Sequence, residues 1–176
     1  MTIGSEPVPA APARAAGAAR LLPAATTALA ALLTLEPVPL PGYAALTPTL
    51  TLMVVYHWTL YRPDLLPPLV LFAVGLGYDL AAGEIVGVTP LLLLLARAAV
   101  LRSRPWFIRR GFVWVWAGFA VLAAGILFGQ WVIASLLAWR LLGTGAIVFR
   151  AALSVALFPL ASRLLGYSQQ ALLGAG

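Results

Sequence analysis

The residues of this chain that could do chemistry are few, and the most informative is an acid in an apolar segment. Asp79 follows two glycines, Gly75 and Gly77, and few other ionisable residues interrupt the apolar stretch around it. A carboxylate in an apolar helix is costly unless it is paired or hydrated. Asp79 could line a polar cavity, bind an ion or substrate, or contact a partner. Alternatively, it is a structural residue near a helix end, hydrated or paired with an arginine.

Arg150 is the best candidate partner for Asp79. It lies about halfway along the last apolar segment, where a guanidinium needs an anion or a water-filled cavity. In the predicted topology the two residues differ in depth by roughly 8 Å, at the rise of an α-helix. We therefore predict that the two side chains are close or joined by water. On this hypothesis, Arg150→Leu leaves a buried carboxylate unpaired and lowers the folded yield.

Glycines in two of the apolar segments could mark faces where helices approach closely. Gly75 and Gly77 flank such a face on the third predicted span, and Gly87 follows the next turn. Each face could serve a partner or only packing within the chain. We group Asp79, Arg150, Gly75, Gly77 and Gly87 as a candidate polar core or partner site. The fifth predicted span has a second glycine face, at Gly118, Gly125 and Gly129.

The sequence gives no support for a catalytic, cofactor or metal site. It contains one histidine, His57, and no cysteine. No group of acids or histidines has metal-ligand spacing, no serine lies near a base, and no phosphate-binding loop is present. We expect a protein that is not an enzyme and that holds no cofactor or metal. His57 is expected to bond to a neighbouring helix.

The composition is typical of an integral membrane protein. Hydrophobic residues make up 62% of the 176 residues and charged residues only 9%, whereas soluble domains carry about 25% charged residues. The eleven basic residues are all arginine. In a membrane protein they indicate topology and lipid head-group contacts rather than a nucleic-acid partner. We predict an all-α, polytopic bundle of about six transmembrane helices.

The apolar segments predict a single transmembrane bundle over residues 18–165, between a disordered tail (1–17) and a C-terminal tail (166–176). The first span could be a cleaved signal peptide, but the Pro-rich segment after Glu36 is not a typical cleavage site. The fifth exceeds one bilayer crossing, so it is tilted, kinked or ends in an interfacial piece. The predicted spans are 20–35, 43–61, 65–82, 85–101, 112–139 and 141–160.

The arginines predict the orientation in the membrane. With six spans, the side that holds the N-terminus carries most of them, and the opposite side carries only Arg140. Because basic loops stay inside, both termini are expected in the cytoplasm. Arg97, near the cytoplasmic end of the fourth span, is expected to snorkel. A basic loop from 102 to 110 is expected to contact lipid or an acidic cytoplasmic partner through Arg102, Arg104, Trp106, Arg109 and Arg110.

The segment from Leu46 to Arg104 resembles the rod shape-determining protein MreD family. That family has a Pro-led apolar span with an Arg-Pro turn, a span with a Gly-Leu-x-x-Asp core, a short turn, a glycine and another span. The order and spacing of the pieces carry the resemblance. They are Thr47-Pro48-Thr49-Leu50, Tyr61-Arg62-Pro63, the run from Phe72 to Leu80, Gly83, and Gly87-Val88-Thr89-Pro90.

The resemblance implies a non-enzymatic scaffold subunit in the bacterial inner membrane that regulates peptidoglycan synthesis in cell elongation and so controls cell shape. The implied partners are the periplasmic scaffold MreC, the actin-like MreB, the glycosyltransferase RodA and a class B penicillin-binding transpeptidase. The family is also similar in fold to the membrane substrate-binding subunits of energy-coupling-factor transporters. That likeness supplies the alternative function, a small-molecule-binding membrane subunit of a transporter.

Overall fold

The computed structural model describes residues 13–35, 49–107, 109–141 and 143–173, and the side chains of residues 21–35, 49–107, 109–141 and 143–167. The described residues are helical, with turns between the helices and no strand. The helices are α1 (Ala13–Leu35), α2 (Leu50–Tyr61), a 3₁₀ turn (Pro63–Leu65), α3 (Pro68–Ala82), α4 (Val88–Phe107), α5 (Phe112–Leu137) and α6 (Gly145–Leu173).

The short helix α2 is the centre of the bundle. Every residue from Leu52 to Leu60 is buried, because α2 contacts α1, α4, α5 and α6. This Thr-rich helix therefore packs against protein along most of its length. A helix of 12 residues is about 18 Å long, shorter than the roughly 30 Å hydrocarbon core of a bilayer.

Length and apolar composition together separate α5 and α6 from the other helices. Phe112–Leu137 and Gly145–Tyr167 are long and apolar enough to cross a membrane. The apolar segments Leu21–Leu35 and Pro68–Ala82 are shorter. Six helices are present in the described residues, as the sequence predicts, but α2 and α3 are shorter than the expected spans.

The ends of three helices differ from the predicted boundaries. α4 continues through Pro105 to Phe107, so most of the predicted basic loop is helix. α6 continues past Arg163 to Leu173, into the predicted C-terminal tail. α1 begins at Ala13, within the predicted N-terminal tail. A charged residue at a helix surface does not end the helix, because its side chain can reach a polar neighbour or water. The rest of that tail and the Pro-rich connector lie outside the described residues.

Aromatic side chains join α2, α5 and α6. The rings of Phe119 and Phe158 stack with centroids 4.3 Å apart, and Tyr56 meets both edge-on at 5.4 and 5.5 Å. The Tyr56 hydroxyl donates a hydrogen bond to the carbonyl oxygen of Val115 at 2.8 Å. Such pairs add to the area that the rings bury, so this cluster fixes how the three helices meet.

Successive helices alternate in direction, and the bundle therefore has two distinct ends. A cavity is lined mainly from the C-terminal halves of α1, α3 and α5 and the N-terminal halves of α2, α4 and α6. We call the end where these halves lie the cavity end. The other holds the last turns of α2 and α4, where arginines bind main-chain carbonyls; we call it the arginine end.

Candidate functional site

Asp79 lies at the cavity end and binds the start of α4. Its side chain is completely buried. Oδ2 accepts hydrogen bonds from the main-chain N–H of Gly87 at 2.7 Å and of Thr89 at 3.3 Å. The first N–H groups of a helix have no partner within the helix, and a negative charge there also suits the helix dipole. The carboxylate therefore holds the N-terminus of α4 against the last turn of α3.

Two glycines make this arrangement possible. α3 ends at Gly83, whose φ of 66° is left-handed and whose N–H bonds to the carbonyl of Asp79. Gly87, with φ of 101°, immediately precedes α4. Residues other than glycine are strained at these values. The structure thus brings together two residues of the predicted site, Asp79 and Gly87, through a reversal of the main chain.

Gly75 and Gly77 lie on opposite sides of α3. A Cβ atom on Gly75 would lie 2.7 Å from the main-chain nitrogen and Cα of Pro90, so α3 and α4 touch there. A Cβ on Gly77 would meet nothing within 4 Å, and that residue is exposed. The expectation that both glycines flank one face is wrong, because residues two apart on a helix point in nearly opposite directions.

The glycines of α5 also differ in how much space surrounds them. A Cβ on Gly118 would meet the ring of Phe107 and lie 3.0 Å from the Tyr56 hydroxyl, so this glycine serves packing within the chain. A Cβ on Gly129 would make ordinary contact with Leu92, 3.6 Å away. Gly125 is exposed and has nothing within 4 Å, so only Gly125 is free to meet another molecule.

The cavity lies between all six helices, is partly open to the outside and has a volume of about 70 Å³. Since a buried water needs about 10–15 Å³ of such space, the cavity has room for several waters or one small group. Its polar lining residues are Thr34, Thr49, Thr51, Tyr78, Thr89, Gln130 and Arg150, and apolar side chains and Gly75 complete the wall.

Arg150 is the charged member of this lining. Its Nε atom is buried and has no hydrogen-bond partner, and Arg150 lines the cavity together with Tyr78. One turn further along α6, the Ser154 hydroxyl oxygen accepts hydrogen bonds from the Thr49 N–H at 3.0 Å and hydroxyl at 2.9 Å. This contact fixes α6 against the start of α2 and so sets the position of Arg150.

Arg150 lines the cavity together with Tyr78, the residue before Asp79. The Asp79 carboxylate and the Arg150 guanidinium form no direct ion pair within the described parts of the chain. The hydrogen bonds to Asp79 come from main-chain N–H groups. Its Oδ1 atom, like Nε of Arg150, has no partner. The closeness or water bridge expected from the sequence remains a prediction.

The arginine end holds the remaining predicted contacts. Arg97 donates hydrogen bonds to the carbonyls of Leu66 at 3.1 Å and Pro63 at 3.2 Å. Arg104 donates to the carbonyl of Leu60, in the last turn of α2, at 2.8 Å. Both arginines therefore have protein partners. Snorkelling of Arg97 and a lipid contact of Arg104 remain predictions from the sequence.

The basic surface next to these arginines is partly aromatic. The guanidinium of Arg110 lies 3.9 Å from the ring centroid of Trp106 and 4.9 Å from that of Trp114, which is a favourable cation–π geometry. Arg102 and Arg109 are exposed. These residues remain available for the lipid or partner contact that the sequence predicts.

Sequence reasoning did not single out Thr34, Tyr78, Thr89 and Gln130, which line the cavity. Each comes from a different helix, so no local motif joins them. A usable signal was the predicted topology, which places these four residues toward the same end of the bundle as Asp79 and Arg150. Within the described residues, no three His, Asp or Glu side chains are placed to hold a metal ion.

The family model for the rod shape-determining protein MreD matches residues 18–167, which is nearly the whole chain. Neither a curated protein nor a solved structure matches the chain significantly.

Proposed function

The chain belongs to the MreD family of rod shape-determining membrane proteins, and from this premise we propose that it is a non-enzymatic scaffold subunit of the bacterial cell-elongation machinery. The family match over residues 18–167 carries the proposal. In this role the chain binds an MreC-like periplasmic scaffold through its helix faces, together with RodA and a class B penicillin-binding transpeptidase. It thereby regulates where peptidoglycan is synthesised.

The exposed apolar faces support a role by contact. Large apolar side chains are exposed on α3 (Leu69, Phe72 and Leu80) and on α5, including Val121 at 75% exposure. In lipid, helices associate through close packing at small residues and a few polar contacts. Gly77, on the exposed side of α3, is the position where a partner helix could approach most closely.

Co-purification tests this proposal. The chain is co-expressed with a tagged MreC-like protein, and recovery of the pair is compared for the parent, Gly77→Leu and Gly125→Leu. We expect at least a tenfold loss for Gly77→Leu, because a leucine at an exposed glycine blocks close approach of another helix. Recovery of the parent with no MreC-like protein at all would overturn the scaffold role.

The matched variants distinguish the two exposed glycines. Both Gly77 and Gly125 have open space around a Cβ, so neither substitution should alter thermal unfolding of the isolated chain. A loss confined to Gly125→Leu would move the contact to α5. Unchanged recovery for both variants would exclude close helix contact at either glycine.

We also propose a multi-pass protein in the inner membrane with both termini in the cytoplasm, so that the arginine end faces inward. The chain has no cysteine, so a single introduced cysteine reports its own location. A membrane-impermeant maleimide applied to intact spheroplasts should label Glu84→Cys at the cavity end and spare Arg109→Cys. The reverse pattern would contradict this orientation.

The cavity favours one second candidate function, a small-molecule-binding membrane subunit of a transporter. All six helices contribute to its lining, so a small molecule bound there would contact the whole bundle, and binding sites of this kind often lie between the helices of a bundle. Co-purification with transporter ATPase subunits instead of elongation proteins would support this candidate.

A further inference from the structure

The cavity at the cavity end has an unbalanced charge. Arg150 is the charged residue among those that line it, and none of them is an acid. Two acids lie nearby without lining the cavity. Glu84 is exposed to solvent, and Oδ2 of Asp79 accepts hydrogen bonds from the main-chain N–H groups of Gly87 and Thr89. A guanidinium in an apolar bundle is costly unless an anion or water compensates it. This site therefore favours an anionic occupant over a cation or a neutral apolar group.

The polar groups around Arg150 suit such an occupant. Hydroxyl groups from α2, α3 and α4 (Thr51, Tyr78 and Thr89) and the amide of Gln130 on α5 line the same space. Hydroxyl and amide groups donate hydrogen bonds, and an arginine offers several donors in a fixed plane that matches carboxylate and phosphate oxygens. The buried, unpartnered Nε atom of Arg150 is one such donor.

We infer that this cavity binds a small anionic group, a phosphate or a carboxylate, and that Arg150 is its main ligand. The anion enters either as a free solute or as the head group of an anionic lipid. The inference rests on the cavity and stands apart from the proposed scaffold function. An MreC-like protein can bind the chain whether or not the cavity is filled.

The first test uses inorganic phosphate as the probe and the purified full-length chain in a non-ionic detergent, at constant ionic strength. At ten times its dissociation constant, a ligand raises the unfolding midpoint of a chain of this size by roughly 3–6 °C. We expect such a rise for the parent and for Arg163→Gln, an exposed arginine of the same helix. We expect no rise for Arg150→Gln.

The second test distinguishes the source of the anion. The chain is placed in nanodiscs of phosphatidylcholine with or without phosphatidylglycerol and examined by native mass spectrometry. A phosphatidylglycerol adduct on the parent and on Arg163→Gln, lost in Arg150→Gln, supports a lipid head group. A rise of the unfolding midpoint with inorganic phosphate, without that lipid adduct, supports a free anion.

The absence of any Arg150-dependent shift or adduct would overturn the inference. If Arg150→Gln does not fold, Thr51→Leu provides the same test, because it keeps Arg150 and fills part of the cavity. We expect at least tenfold weaker phosphate binding, or loss of the lipid adduct, in that variant. Unchanged binding there would also overturn the inference.

Discussion

The two ends of the bundle use charged side chains differently. At the arginine end, Arg104 donates a hydrogen bond to a main-chain carbonyl in the last turn of α2, and Arg97 donates one to a carbonyl that follows α2. At the cavity end, Asp79 accepts from the N–H groups at the start of α4. Positive groups thus lie at a helix C-terminus and a negative group at a helix N-terminus, as the helix dipole favours. α4 takes part in both contacts.

The two ends differ in whether the atoms of their charged side chains have hydrogen-bond partners. Nε of both Arg97 and Arg104 has a carbonyl partner, whereas Nε of Arg150 and Oδ1 of Asp79 have none. Buried polar groups are normally paired, so unpaired ones call for an explanation. At the arginine end the Nε atoms of the two arginines are paired and the buried Thr59 hydroxyl is left without a partner, so the charged groups there serve structure. At the cavity end the charged groups themselves are left with free atoms, as in a binding site.

The largest expected effect is at the cavity end, where Gly75→Leu should abolish folding. Its Cβ would lie 2.7 Å from main-chain atoms of Pro90, which cannot move aside as a flexible side chain can. The cost should exceed the about 1–3 kcal/mol typical of overpacking. Fluorescence-detected size-exclusion chromatography measures the folded yield. Gly77→Leu is the matched control, and a normal yield for Gly75→Leu would contradict the close α3–α4 contact.

Asp79→Ala should have the next largest effect. Loss of the carboxylate leaves the Gly87 and Thr89 N–H groups without their acceptor, at an expected cost of about 2–4 kcal/mol. Thermal unfolding in detergent measures this loss. Asp79→Asn keeps an oxygen acceptor and should cost less, so equal losses for the two variants would show that the charge itself is essential.

At the arginine end, Arg104→Gln should destabilise the chain moderately. It removes the hydrogen bond from Nε to the carbonyl of Leu60, and bonds that involve a charged group are worth about 1.5–3 kcal/mol. Arg102→Gln, two residues away and exposed, is the control and should leave the unfolding midpoint unchanged. Equal effects of the two variants would show that general charge, and not this bond, matters.

The smallest effect is expected for Arg150→Leu in the absence of added anions. Because Asp79 has its own N–H donors, loss of Arg150 should change stability by less than about 1 kcal/mol. The same thermal unfolding assay measures it, with Arg163→Leu as control. A loss as large as that of Asp79→Ala would instead support the Asp79–Arg150 pair expected from the sequence and would weaken the contrast between the ends.

The sequence was sufficient to predict the class of fold. Apolar composition and segment length predict a helical membrane bundle. The motif from Gly75 to Asp79 marks the place where α3 and α4 join. These features follow from side-chain type and spacing, which are visible in a single sequence.

The partners of Asp79 and the two roles of the glycines could not be predicted in the same way. Asp79 binds main-chain N–H groups, which every residue except proline has, so no side chain signals the contact. Gly75 and Gly77 are chemically identical, and only the position of Pro90 distinguishes them. The hydrogen bond of Arg104 could not be predicted either, because the carbonyl that it binds belongs to another helix, far away in sequence.

The enclosure of α2 has a consequence for genetic studies of cell shape. Since no side chain from Leu52 to Leu60 reaches the surface, missense alleles there should act by lowering the amount of protein, and a second gene copy should rescue them. Alleles at exposed Gly77 should resist such rescue, because the protein accumulates normally and fails only at its encounter with another chain. Gene dosage can therefore sort shape mutants before any protein is purified.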